Sequence, residues 1–244
     1  MKLKLFILIA IMFSHSDKNP EKPNIKIEKG GLYNPFLPFV NAPEGWSGNK
    51  VNNRNEFQNI ESIRMPSFWD VIRWKLKKNP QEKEKKADQY ALNVLQDTTF
   101  FSSKNDMMVW LGHSTFLIRI NGLLIMTDPV FYDVPLVKRH HGLPFDPSLI
   151  KGLDYILISH NHRDHCDKKS LKLLGKNNPD AIVLAGLGME KLLGKWISNT
   201  IQEAGWFQKY KTDSLISFVY LPAQHWSKRG LTDTNKQRLG FLCY

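Results

Sequence analysis

Residues 159–165 read Ser-His-Asn-His-Arg-Asp-His, so that His160, His162, Asp164 and His165 place four metal-ligating side chains within six positions, in the pattern H-x-H-x-D-H. Imidazole nitrogens and carboxylate oxygens are ligands of divalent zinc, and a catalytic zinc keeps one coordination position open for water. Side chains two apart on an extended segment project the same way, which sets His160 and His162 to grip one ion. The turn that follows can aim Asp164 and His165 at a second. A lone histidine at a strand end is ordinarily a satisfied polar residue, but packing does not account for four such side chains together. Cys166 adjoins the motif, either as a thiol behind the ligands or as a small buried residue. The other cysteine, Cys243, is far away in sequence, and no disulfide framework is implied.

Such a motif needs a strand to carry it, and the apolar run 154–159 ends directly on His160. Upstream, 107–111, 115–120 and 123–127 read as short strands, the last two joined by Asn121-Gly122, a strong hairpin signal. A loop containing Pro129, Pro135, Pro144 and Pro147 follows. Downstream, helices are expected over 168–174 and 188–196, with strands over 181–184 and 215–221, the latter leading to His225. Strands alternating with helices predict an α/β domain over 106–244. Residues 17–105, rich in Pro, Asn and Lys, read as an extended arm with one or two helices. In the segment 67–77, Phe68, Val71, Ile72 and Leu76 recur at helical spacing, so its aromatics are expected to pack on the main domain. The run of Lys75, Lys77, Lys78, Lys83, Lys85 and Lys86, interleaved with Glu82 and Glu84, reads as a solvated helix face.

The chain has 244 residues, 42% of them hydrophobic, which suffices for one sizeable core. Its 34 basic and 23 acidic residues give a net charge of +11 and favour anionic partners. Basic and aromatic residues are not interleaved as a nucleic-acid track requires, so no nucleic-acid partner is expected. Lys2 and Lys4 precede an apolar stretch over 5–13 and then Ser14-His15-Ser16. This predicts a signal peptide over 1–16 and an exported protein, periplasmic or extracellular, with some membrane association. The competing reading is a buried N-terminal strand, which would leave the protein cytoplasmic.

Four stretches together resemble the metallo-β-lactamase superfamily, and within it the N-acylphosphatidylethanolamine-hydrolysing phospholipase D family. They are Trp110-Leu111-Gly112-His113-Ser114-Thr115, Thr127-Asp128-Pro129-Val130-Phe131, the segment from Leu157 to His165, and the segment from Pro222 to Arg229. The resemblance implies an αβ/βα sandwich and places His160, His162 and His225 on a first zinc, with Asp164 and His165 at a second and Asp164 in the catalytic set. It sets His113 and Asp128 behind the ligands or in a structural role, which ordinary turn or capping residues would fill equally well. His140 and His141 match no ligand position. The implied reaction is metal-assisted hydrolysis of a membrane phospholipid's phosphodiester, releasing phosphatidic acid and an N-acylethanolamine. A basic chain would be drawn to an anionic membrane surface.

The sequence also departs from that family. Members complete the site with a bridging aspartate and a final histidine well downstream of the position of His225. Here nineteen residues follow His225, with Asp233 as their one acidic residue and no histidine. The expectation is therefore five of seven ligands, one zinc instead of two, and largely the N-terminal half of the sandwich, a C-terminally truncated copy. On that basis a non-catalytic metal- or lipid-binding remnant competes with the hydrolase, as does a hydrolase of another substrate such as a lactone. Arg163 stands where better-known members carry an aromatic residue that meets the substrate.

Overall fold

The computed structural model describes residues 26–28, 31–61, 67–90, 92–135, 138–212, 215–230, 233–236 and 240–243. The expected signal peptide over 1–16 lies outside them. Among the described residues no helix is long and apolar enough to cross a membrane.

The core is a mixed six-stranded sheet of β3 (Met107–Trp110), β4 (Phe116–Ile120), β5 (Leu123–Thr127), β6 (Tyr155–Ile158), β7 (Ile182–Gly186) and β8 (Ile201–Ala204), paired in that order. The first three strands run antiparallel and the last three join β5 in parallel. The β4–β5 turn is the one its sequence demands. Asn121 and Gly122 both take positive φ, at 50° and 81°, as the commonest two-residue hairpin requires.

Side chains alternate across the sheet because the strand repeat is two residues. Leu124, Met126, Ile156, Ile158, Val183 and Ala185 face a core shared with Leu171 and Leu174 of α3 (Lys168–Asn177) and Leu193 of α4 (Glu190–Leu193). Ile125, Tyr155, Leu157 and Leu184 face a second core with Trp206, Tyr210, Phe218 and Tyr220. That second layer includes a three-stranded antiparallel sheet of β9 (Gln208–Lys209), β10 (Val219–Pro222) and β11 (Gly240–Cys243). The result is the α/β fold the strand pattern predicts, with the parallel strands buried on both faces.

The arm divides into two parts. A short hairpin of β1 (Lys26–Glu28) and β2 (Gly31–Tyr33) leads into a segment sewn to the domain. Asn34 Nδ2 donates to Glu203 O at 2.7 Å, Gln208 Nε2 donates to the carbonyls of Asn34 and Leu37, and Trp206 N donates to Asn49 Oδ1. The second part holds α1 (Phe68–Leu76), started by a Ser67/Asp70 capping box, and α2 (Glu82–Ala87), which buries no residue. Here the expectation of packed aromatics is overturned. Trp69 and Trp74 are 71% and 70% exposed and Leu76 is 82% exposed. The helical spacing is real, but these apolar side chains stay largely in solvent among the described residues.

Candidate metal centre

The site lies where β6 ends. A hydrophobic strand delivers the chain to the C-terminal end of the sheet, and the ligands begin at the second residue beyond it, His160, as ligand sites in α/β sheets generally do. Residues 162–166 then close a tight turn in which His165 N and Cys166 N both donate to His162 O, at 3.1 and 2.8 Å. From the far side Arg229 Nη1 donates to the carbonyls of Asn161 and Cys166, at 3.0 and 2.6 Å, with its guanidinium stacked over Trp196. The loop that carries His225 is thereby locked to the loop that carries the other histidines. Asp233 closes this second loop by accepting from Arg229 N and Gly230 N, and Asn59 Nδ2 of the arm donates to His225 O.

Three imidazoles converge. His162 Nδ1 lies 2.9 Å from His160 Nε2 and 3.3 Å from His225 Nε2. Ligands at zinc–nitrogen distances in a tetrahedral set stand about 3.3 Å apart. Burial, reinforced by the neighbouring imidazoles, pushes His160 down to about 2, and burial also lowers His162 and His225. All three are neutral at neutral pH, the form that ligates. His162 Nε2 is buried with no hydrogen-bond partner among the described residues. A proton on Nδ1 would serve only one of the two nitrogens facing it. A cation at the common point engages all three lone pairs, so the donor set fits a divalent metal.

His165 belongs to a second group with Asp164 and His113. Its ring lies against that of His160, centroids 4.2 Å apart, so the two groups share a wall. Asp128 orients both. Its carboxylate accepts from Ser159 N at 2.8 Å, from Ser159 Oγ at 2.6 Å and from His165 Nδ1 at 2.8 Å. Because the single Ser159 hydroxyl proton goes to Asp128, Ser159 Oγ accepts from His160 Nδ1, at 3.0 Å. Both histidines therefore hold their protons on Nδ1 and turn Nε2 toward the site. Burial opposes a charge on His165, but the hydrogen bond and charge of Asp128 outweigh it and raise that pKa. Asp128 sits at φ 35°, a left-handed conformation that aspartate tolerates. Thr115 Oγ1 pins its carbonyl at 2.7 Å.

The structure thus brings His160, His162 and His225 to one point and His113, Asp164 and His165 to another. Arg163 is exposed, its guanidinium near Arg229 O at 3.4 Å. Cys166 is fully buried, burial pushes its thiol up to about 12, and it stands in neither ligand group, as a packing residue does. His140 and His141 stand in neither group and line a cavity beside the second one. Ser159 and Arg229 are site residues that spacing alone does not reveal. A serine before a histidine is common, and the arginine's carbonyl partners lie more than sixty positions away.

Residues 107–237 match the family model described as "Beta-lactamase superfamily domain". The chain is 30% identical over 208 residues to N-acyl-phosphatidylethanolamine-hydrolyzing phospholipase D 1 of Caenorhabditis elegans, covering 76% of this chain and 58% of that protein. It is 36% identical over 135 residues to the mitochondrial enzyme of the same description from Saccharomyces cerevisiae, covering 52% of this chain and 29% of that one. A metal-dependent hydrolase of Lawsonia intracellularis matches at 34% over 61 residues, a quarter of this chain (25%) and 24% of its own length. The chain therefore spans little more than half of the first relative and under a third of the second. With the family model covering over half its length, and with the histidine loop set at the end of a mixed sheet, the chain belongs to the β-lactamase superfamily and carries the metallo-β-lactamase fold.

Proposed function

We propose that this chain provides the metal-binding and substrate-facing part of a hydrolase that cleaves the phosphodiester of an N-acylated phosphatidylethanolamine. The observation that carries the reading is a cavity of about 690 Å³ that abuts the second ligand group. Its walls are largely apolar, formed by Leu92, Val94, Leu95, Phe100, Met108, Trp110 and Tyr132, and His113 and Asp164 also line it. A hydrocarbon chain suits such walls, and an anionic head suits the metal-binding groups beside them. Lys138 adds a positive charge to the lining. The likeness to two phospholipases of that description supports the same substrate class.

Zinc held by His160, His162 and His225 would activate water and neutralise charge on phosphoryl oxygens. The chain's own contribution is orientation. Asp128 and Ser159 hold the imidazoles in one tautomer, Arg229 clamps the two loops together, and the apolar walls exclude water from the lipid chain. Contact with an anionic membrane is supported by α1. There the exposed Trp69, Trp74 and Leu76 stand among Arg73 and Lys75, with Lys77 and Lys78 just past the helix end, the composition of an interfacial helix.

The test is to incubate the zinc-loaded chain with vesicles containing N-acylphosphatidylethanolamine and to follow N-acylethanolamine by mass spectrometry. Release that a chelator abolishes supports the reading. Turnover of lactones alone would assign another substrate, and metal binding with no turnover would make this chain a binding unit.

A further inference from the structure

The turn between β3 and β4 brings His113 across to the histidine loop, 52 positions later in the chain. His113 Nε2 lies 3.1 Å from His165 Nε2 and 3.2 Å from Asp164 Oδ2, and those two atoms are 3.9 Å apart. These edges bracket the spacing of about 3.3 Å expected of ligands around one tetrahedral divalent ion. With the Nδ1 proton of His165 taken by Asp128, the neutral ring turns a lone pair on Nε2 toward His113. One N–H on His113 could serve either that lone pair or the carboxylate of Asp164, but not both. A cation serves all three donors. The turn is itself held in place: Trp110 Nε1 donates to His113 O at 2.9 Å and Arg139 Nη2 donates to Leu111 O at 2.6 Å.

We propose that His113 is a protein ligand to a second divalent cation, held jointly with Asp164 and His165. This makes the turn at Gly112-His113 part of the metal site and not only a connection between strands. It explains why a histidine, and not glycine or asparagine, occupies a left-handed position at φ 49°. The inference rests on the metal reading of the histidine loops and not on the identity of the substrate.

The experiment is a cobalt(II) titration of the full chain after chelator treatment, read by visible absorption, with bound zinc counted separately by native mass spectrometry. The substitution is His113→Asn, since asparagine accepts the left-handed backbone; far-ultraviolet circular dichroism verifies folding. The wild-type chain is expected to take up two equivalents. The variant should keep one and lose the other, or bind it at least about 100-fold more weakly. His225→Ala should weaken the opposite equivalent, leaving one that His113→Asn then removes. Two equivalents in the His113 variant with unchanged affinity would overturn the proposal. So would a single equivalent in the wild type that the substitution leaves untouched, although the three-histidine site would stand. No uptake by the wild type would overturn both.

Discussion

Two regions of this molecule reverse the usual partition of polar and apolar groups, and they do so differently. Inside the domain, polar side chains are buried: Asp128 and His160 are each 6% exposed, Glu203 4% and Gln208 not at all. On α1, two tryptophans and a leucine stand in solvent. The buried groups are tolerated because each is answered. Asp128 accepts three hydrogen bonds, and Gln208 both receives and donates to the arm. Burying a polar group costs several kcal/mol only when its bonds are left unmade. On α1 the corresponding apolar side chains keep most of their surface in solvent. Interior polarity here is answered within the fold, at the site and at the arm, whereas exterior apolarity marks a surface available for contact.

The largest effect that would sharpen this contrast is at Glu203. Burial raises its pKa to about 7, against the backbone hydrogen bonds from Glu190, Met189 and Gly188 that favour the carboxylate. The folded-state pKa is raised, so its contribution to stability is fully present below about pH 4.5 and is lost as pH rises through about 7. Glu203→Gln keeps an acceptor for Glu190 N and removes that loss. Its urea midpoint should gain on the wild type between pH 5.5 and 8, toward at most about 3 kcal/mol. A difference that does not change with pH would show the carboxyl to be ionised throughout.

Next in size is Asp128. Asp128→Asn preserves shape and the left-handed backbone but turns an amide toward the His165 Nδ1 proton and the Ser159 hydroxyl. Zinc affinity, measured against a competing chelator, is expected to fall about 10- to 100-fold. An unchanged affinity would mean that the imidazoles are oriented without it. The smallest stability effect is expected on α1. Trp69→Ala and Trp74→Ala together should shift unfolding by no more than about 0.5 kcal/mol each, as surface changes do. The same pair should sharply reduce cosedimentation with anionic vesicles. A large loss of stability would reveal packing that the exposed rings do not suggest, and undiminished vesicle binding would remove α1 from the membrane reading.

Much was legible in the chain itself. The strands at 107–110, 116–120, 123–127 and 155–158 follow from short apolar runs of strand-forming residues. The hairpin follows from Asn121-Gly122, and the gathering of His160, His162, Asp164 and His165 follows from their spacing. Short strands such as β8 and β9 were not legible, because Ile201–Ala204 and Gln208–Lys209 carry too few residues for a period to show. The exposure of α1 was not legible either. Periodicity reports that a face is apolar but not whether anything covers it.

Sequence alone determined the local matters, namely where strands run, where the chain turns and which residue types can ligate. Only the tertiary structure decided which distant residues join them. His113 arrives from 52 positions away, and Arg229 reaches back 63 and 68 positions to hold the loop's carbonyls. Asp128 binds Ser159 and His165 across the ends of β5 and β6. The physical reason is that spacing encodes only neighbours along the chain. Contacts across a sheet depend on strand order and register, which hydrophobic burial of both faces settles for the domain as a whole.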